Sequence, residues 1–154
     1  MKKDGEAAGV IAFPPLIYGV PLALSLAADH FLSKRRLPPS SQVLAAGFFA
    51  AAASIAIPAV REFKKAGTAI DPFEETTAFI ETGPFAYTRN PLYSGLTLVY
   101  CGIAFAARRT LPLALLPAVL WIMNTGVIER EERYLERKFG DAYRDYRRRV
   151  PRWF

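Results

Sequence analysis

Four runs free of charged residues, Gly9–Ala28, Ser41–Val60, Leu92–Ala107 and Leu111–Ile128, fix most of what this chain can fold into. A bilayer core about 30 Å thick takes roughly 17–25 helical residues to cross. A mean hydropathy of only +0.14 hides the pattern, because Arg61–Asn90 and Glu129–Phe154 hold much of the charge. A soluble domain of 154 residues has no use for four such runs. The expected fold is therefore all-α: one integral membrane helical bundle over residues 1–154, with about four transmembrane helices near 9–28, 41–60, 91–107 and 111–128. A loop at 61–90 and a C-terminal amphipathic cytoplasmic helix in 129–154 complete it. Arg108–Thr110 is so short that the last two spans form an antiparallel hairpin. Prolines within the runs are tolerated, because neighbouring helices re-satisfy the freed backbone groups.

Lysine and arginine set the orientation. With four spans, one side receives Lys2, Lys3, Arg61, Lys64, Lys65, Arg89 and the arginine-rich tail, and the other only Lys34, Arg35, Arg36, Arg108 and Arg109, a ratio of 15 to 5. Both termini and the 61–90 loop are expected in the cytoplasm; a three-span arrangement splits the charges less well. The charged start of the chain before an apolar run has the outline of a signal peptide, but Asp4, Glu6 and the Pro14-Pro15 pair argue for a retained first span. Cys101 and His30 are the only residues of their kinds, which rules out an intramolecular disulfide and a zinc site of the usual spacing. Arg144, Arg147, Arg148, Arg149 and Arg152 beside a membrane would attract anionic lipid head groups, on the order of 1 kcal/mol each. The tail carries no nucleic-acid-binding module, so lipid is the expected partner; a plain topology signal explains part of the same charge.

Two segments carry chemistry. The loop runs through Thr76, Thr77, Ala78, Phe79 and Ile80 to Gly83-Pro84-Phe85 and Arg89-Asn90-Pro91-Leu92-Tyr93. Gly83-Pro84 reads as a turn, and Asn90-Pro91 as a helix start with Asn90 at the cap. Past the fourth run, Ile128, Leu135 and Phe139 share one helical face, with Glu131 and Glu132 on its shoulders and Arg130, Arg133 and Arg137 pointing away. Carboxylates against an apolar interface need a partner. Either they pair with Arg89 or Lys64 in the fold, or one of them faces a ligand. Gly140-Asp141 is expected to end this helix and start a shorter one.

The run from Gly83 to Tyr93, a helical hairpin, then Glu131-Glu132 and Phe139-Gly140-Asp141-Ala142-Tyr143 closely resembles the isoprenylcysteine carboxyl methyltransferase and phospholipid methyltransferase family. The resemblance covers about residues 62–152. It implies S-adenosylmethionine as cofactor, enclosed by the last two spans, the preceding loop and the C-terminal helix. It places Thr77, Ala78, Phe79, Ile80, Phe85, Asn90, Tyr93 and Glu131 against that cofactor. Asn90 stands where the eukaryotic prenylcysteine enzymes carry His, and Phe85 where they carry Tyr. Val127 falls near their substrate-gripping arginine, which turns the expectation away from prenylated proteins and toward a lipid or small lipophilic acceptor.

Methyl transfer from a sulfonium is an in-line displacement that asks the protein for alignment and water exclusion. An amine acceptor must also lose a proton, for which Glu131 or Glu132 is the candidate base. Arg89 is the candidate to orient an anionic acceptor, or else a snorkelling anchor at the interface. A four-span transporter would need an intramembrane carboxylate, and the four runs contain none. A non-catalytic scaffold of the same fold is the remaining alternative, and cofactor binding separates it from an enzyme.

Overall fold

A computed structural model describes residues 7–32 and 36–154 as six α-helices, with no strand among the described residues. Lys2, Lys3, Asp4, Glu6, Lys34 and Arg35, used above for topology, lie outside them. The helices are α1 (Pro14–Leu32), α2 (Ser41–Ala66), α3 (Pro91–Ala106), α4 (Leu111–Met123), α5 (Glu129–Phe139) and α6 (Asp141–Arg149). A short 3₁₀ turn, Gly83–Ala86, precedes α3, and a π-helical turn, Asn124–Ile128, joins α4 to α5.

The first helix starts later than the apolar run, at Pro14, because a proline at the first helical position has no N–H to leave unpaired. Before it, Ile11 N donates to Gly126 O at 3.2 Å. At the other end of the chain, α4, the π turn and α5 form one continuous helix, Leu111–Phe139. The helix thus does not stop where the apolar run does, at Ile128: Glu131 and Glu132 ride on its direct extension. Gly140 breaks it with φ of 56°, a conformation only glycine adopts readily, and α6 follows.

The all-α bundle is built for lipid. Helix α2 and the continuous helix Leu111–Phe139 are long and apolar enough to cross a membrane, while α3 has 16 residues. At 1.5 Å per residue α3 reaches about 24 Å. Large apolar side chains face outward on three helices: Leu16, Val20 and Leu24 on α1, Val43, Leu44 and Ile57 on α2, and Leu115 and Trp121 on α4. The interior is made differently on its two sides. Val10, Ile17, Tyr18 and Leu22 pack with Tyr100, Val119, Met123 and Val127 into one core. There the Tyr18 hydroxyl meets Thr97 Oγ1 at 2.8 Å. Helix α2 instead buries a narrow stripe of small residues, Ser41, Ala45, Ala52 and Ala59, against α3.

That stripe lets the two backbones come close. A Cβ on Gly95 would lie 3.2 Å from Ala56 Cβ and 3.8 Å from Ala52 O. Gly95→Leu is therefore expected to push α2 off α3 and lose about 1–3 kcal/mol of stability, the usual cost of overpacking. Unfolding in detergent micelles measures this, and an unchanged midpoint would mean the contact has room to spare.

Candidate functional site

A cavity of about 530 Å³ opens between α2, α3, α5, α6 and the loop before α3. That lies within the range of about 300–1,000 Å³ typical of small-molecule sites. One end is polar and one apolar, because different elements supply them.

The loop is held in place by its own backbone. Gly67 ends α2 in the left-handed region, and Thr68 Oγ1 then accepts from the amides of Thr77 at 2.8 Å and Ala78 at 3.4 Å. Thr76 N reaches the Tyr134 hydroxyl of α5 at 3.2 Å. This register turns Ala78, Phe79 and Ile80 onto the cavity along with Thr76. It turns Thr77 away: its hydroxyl bonds Gly67 O and its side chain is exposed. Of the residues expected at the cofactor, Thr77 alone is not on the lining. Phe79 sits edge-on to Tyr143 and Tyr146 and tilted on Phe139, with ring centroids 5.2 to 5.9 Å apart. The Tyr146 hydroxyl donates to Phe85 O at 2.7 Å, and Phe85 packs edge-on against Phe63. Loop, α2 and α6 thereby make one aromatic wall.

The head of α3 supplies the polar end. Asn90 stands at the cap position and its carbonyl accepts from Ser94 N at 2.9 Å. Its side chain does not cap the helix, as was expected; Nδ2 donates to Arg152 O at 3.0 Å. The same carbonyl accepts from Thr88 Oγ1 at 2.9 Å, and Arg89 N donates to Pro151 O at 2.9 Å. The residues after α6 thus strap across the start of α3. On α5, the two carboxylates take different partners. Glu131 accepts from the Tyr93 hydroxyl at 2.6 Å, and burial pushes its pKa up to about 7. Glu132 accepts from Arg152 through Nε at 3.0 Å and Nη2 at 2.7 Å, and pairs with Arg89 Nη2 at 3.1 Å. Arg89 Nε and Nη1 are buried beside the cavity and have no hydrogen-bond partner.

So the structure brings Ala78, Phe79, Ile80, Phe85, Arg89, Asn90, Tyr93, Glu131 and Glu132 onto one cavity. Sequence reasoning missed Asp71, Tyr134, Tyr143 and Tyr146 on the lining, and the whole apolar arm made by Phe49, Ala52, Ala53 and Ala56 of α2 with Gly95, Leu96 and Val99 of α3. It also set Arg152 among lipid-facing cations, whereas Arg152 turns inward to Glu132. The other tail arginines are engaged as well: Arg144 with Asp141, Arg147 with Glu136, Arg148 with Asp145 and Arg149 with Glu81. Val127 is fully buried in the core against α1 and is not on the cavity lining. No metal-ligating cluster occurs among the described residues.

The chain matches a family model described as phospholipid methyltransferase over residues 40–142, a stretch that includes the α2, α3 and α5 walls of the cavity but not the start of α1 or α6 beyond Ala142. It is similar to the Protein-S-isoprenylcysteine O-methyltransferase of Schizosaccharomyces pombe, 35% identical over 72 residues that make up 47% of this chain and 30% of that protein. It is also similar to an uncharacterized protein of Haemophilus influenzae, 51% identical over 43 residues, 27% of this chain and 68% of that one. The match therefore spans under a third of the length of the S. pombe relative. No solved structure matches.

Proposed function

This chain belongs to the phospholipid methyltransferase family, and from that premise we propose that it transfers a methyl group from S-adenosylmethionine to a lipophilic acceptor at the cytoplasmic face of a membrane. The observation that carries this reading is the two-ended cavity, in which Arg89, just before α3, and Glu131 and Glu132 of α5 meet an apolar arm between α2 and α3.

The residues present suit that cofactor. S-adenosylmethionine supplies a methyl group already activated on a sulfonium. Phe79 and Phe85 offer aromatic faces to a purine, Glu131 a carboxylate to an ammonium or sulfonium, and Arg89 two unpaired buried donors to a carboxylate. The protein's work is then to align and to exclude water. The apolar arm, walled by Ala52, Ala53 and Ala56, takes the acceptor's hydrocarbon and leaves its reactive end at Tyr93 and Glu131. For a carboxylate or thiolate acceptor no base is needed. For an amine acceptor one proton leaves, and Glu131 is the group to receive it, because burial holds its pKa near 7. Glu132 is the poorer base, since its oxygens are engaged by Arg89 and Arg152. Where the methyl donor's carboxylate does not take those donors, Arg89 is the cation on the lining to meet an anionic acceptor.

Calorimetry of the detergent-purified protein with S-adenosylmethionine and S-adenosylhomocysteine tests the reading, followed by radiolabelled methyl transfer to a farnesylcysteine analogue, phosphatidylethanolamine and a membrane lipid extract. Binding of the cofactor with turnover of a lipid is the expected result; no binding of either nucleoside would leave a scaffold of the same fold.

Topology gives an independent check. Four spans, α1 to α4, would place both termini and the 61–90 loop on the cytoplasmic side, following the charge asymmetry. Reporter fusions should report a cytoplasmic C-terminus. A signal from the opposite side would part Glu131 from the aqueous cofactor pool and break the proposal.

A further inference from the structure

We infer that Arg152 is a positioning residue, which holds Glu132 so that Arg89 stays free to bind an anionic group of the ligand. The inference rests on the methyl-transfer reading of the cavity and adds to it the chemistry of one subsite.

Glu132 is buried, and a buried carboxylate attracts any nearby guanidinium strongly. Two guanidiniums reach it, and they share it unequally. Arg152 covers both oxygens, Nε on Oε1 at 3.0 Å and Nη2 on Oε2 at 2.7 Å. Arg89 has a single contact, Nη2 on Oε1 at 3.1 Å, on the oxygen that Arg152 already occupies. Its Nε and Nη1 are left buried and unpartnered at the cavity wall. Leaving such donors unpaired is costly unless a ligand meets them.

Arg152 is itself fixed from three directions. Its Nη1 donates to Asn124 Oδ1 at 2.8 Å on the π turn, and its carbonyl accepts from Thr88 and Asn90 at the head of α3. Take its guanidinium away and Glu132 Oε2 loses its donor inside the protein. The fork of Arg89 would then turn onto Glu132 in the favoured two-pronged geometry, and the anion subsite would close. The group bound there is a carboxylate or a phosphate, carried either by the amino-acid end of the methyl donor or by the acceptor.

The test compares wild type, Arg152→Gln and the double variant Arg152→Gln/Glu132→Gln in detergent. Calorimetry with S-adenosylhomocysteine is set against 5′-methylthioadenosine, the same nucleoside without the carboxylate. If the anion belongs to the donor, Arg152→Gln weakens S-adenosylhomocysteine tenfold or more and leaves methylthioadenosine unchanged. The double variant recovers most of the loss, because Arg89 no longer has a carboxylate to collapse onto. If the anion belongs to the acceptor, both nucleosides bind as before, and KM for farnesylcysteine analogue or phosphatidylethanolamine rises tenfold with kcat retained. Arg152→Lys, which keeps the charge on Glu132, should sit between wild type and Arg152→Gln, and serves if the glutamine variant fails to fold. Equal loss of both nucleosides without recovery in the double variant, or no change in any measurement, would overturn the inference. Wild type that binds neither nucleoside would sink the methyltransferase reading itself, and the subsite with it.

Discussion

Glu131→Ala is expected to weaken binding of S-adenosylmethionine tenfold or more, and Glu131→Gln to remove a pH dependence that wild type shows. A hydrogen bond to a charged group is worth about 1.5–3 kcal/mol, and Glu131 faces the cavity with Tyr93 as its one hydrogen-bond partner among the described residues. Burial lifts its pKa from 4.5 to about 7, the Tyr93 hydroxyl opposing that rise in part and the neighbouring Glu132 adding to it. The folded protein therefore holds a proton on Glu131 that the unfolded chain has lost, and this group's contribution to stability falls as pH rises from about 4.5 through about 7. A bound cation reverses the preference. Ammonium or sulfonium beside the carboxyl favours its ionised form, so affinity should climb as pH rises toward 7 and level off above. Near pH 6 binding should release up to one proton. Calorimetry in buffers of different ionisation enthalpy reads that proton directly. Affinity unchanged in Glu131→Ala, with no proton released by wild type, would make Glu131 a structural partner of Tyr93 and nothing more.

The parts of this arrangement that could be read from sequence are those determined locally. A proline after Asn90 starts α3 and a glycine at 140 ends α5, because each depends on one residue's own backbone. The charge-free runs foretold helices, since no polar group interrupts their faces. The loop and tail motifs converge on one cavity because the α3–α4 hairpin is a short, antiparallel connection that folds residue 93 back toward residue 131. What stayed hidden depends on register and on distance. Thr77 and Thr76 differ only in which of them Thr68 turns outward, and that choice is made by two hydrogen bonds across the loop. Asn90 carries the ordinary signature of a cap, and its side chain is diverted by a carbonyl 62 positions away. Arg152 looked like one more cation in a basic tail, and only the strap from Val150 onward brings it to Glu132.

The π turn shapes the site as well. A five-residue π-helical turn at Asn124–Ile128 inserts extra rotation between α4 and α5, so a helical phase carried across it changes face. Val127 therefore falls in the α1 core while Glu131 and Glu132, four and five residues on, reach the cavity. The same turn frees Asn124, whose amide reaches Glu129 at 3.3 Å and whose oxygen receives Arg152 at 2.8 Å. Its neighbour Gly126 makes room for Ile11, since a Cβ there would lie 2.3 Å from Ile11 Cδ1. One local irregularity thus seats the start of the chain on one side and the end of it on the other.

The second large effect is expected at the opposite end of the bundle, where Asp29→Ala should cost about 3–5 kcal/mol of stability, the loss typical of stripping one partner from a buried ion pair. Asp29 lies just past the first apolar run and is fully buried. Its Oδ2 pairs with Arg109 Nη1 at 3.1 Å, and its Oδ1 accepts from Leu111 N at 3.2 Å. It caps α4 from a distance, in place of Thr110, whose own side chain makes no capping bond. Arg108 holds the same turn through Leu37, donating from Nε at 2.8 Å and accepting from Leu37 N at 3.1 Å. Asp29→Asn keeps acceptor oxygen for Leu111 and should lose less than alanine. Replacing Asp29 and Arg109 together by leucine should lose least, because no lone charge is then left inside. Urea or thermal unfolding in micelles ranks the three. Folded Asp29→Ala should still bind S-adenosylhomocysteine, as the cavity lies at the far end of α4 and α1. Alanine as stable as wild type would show that the pair gives no net stabilisation, while lost affinity in the folded variant would show that this turn and the cavity move as one body.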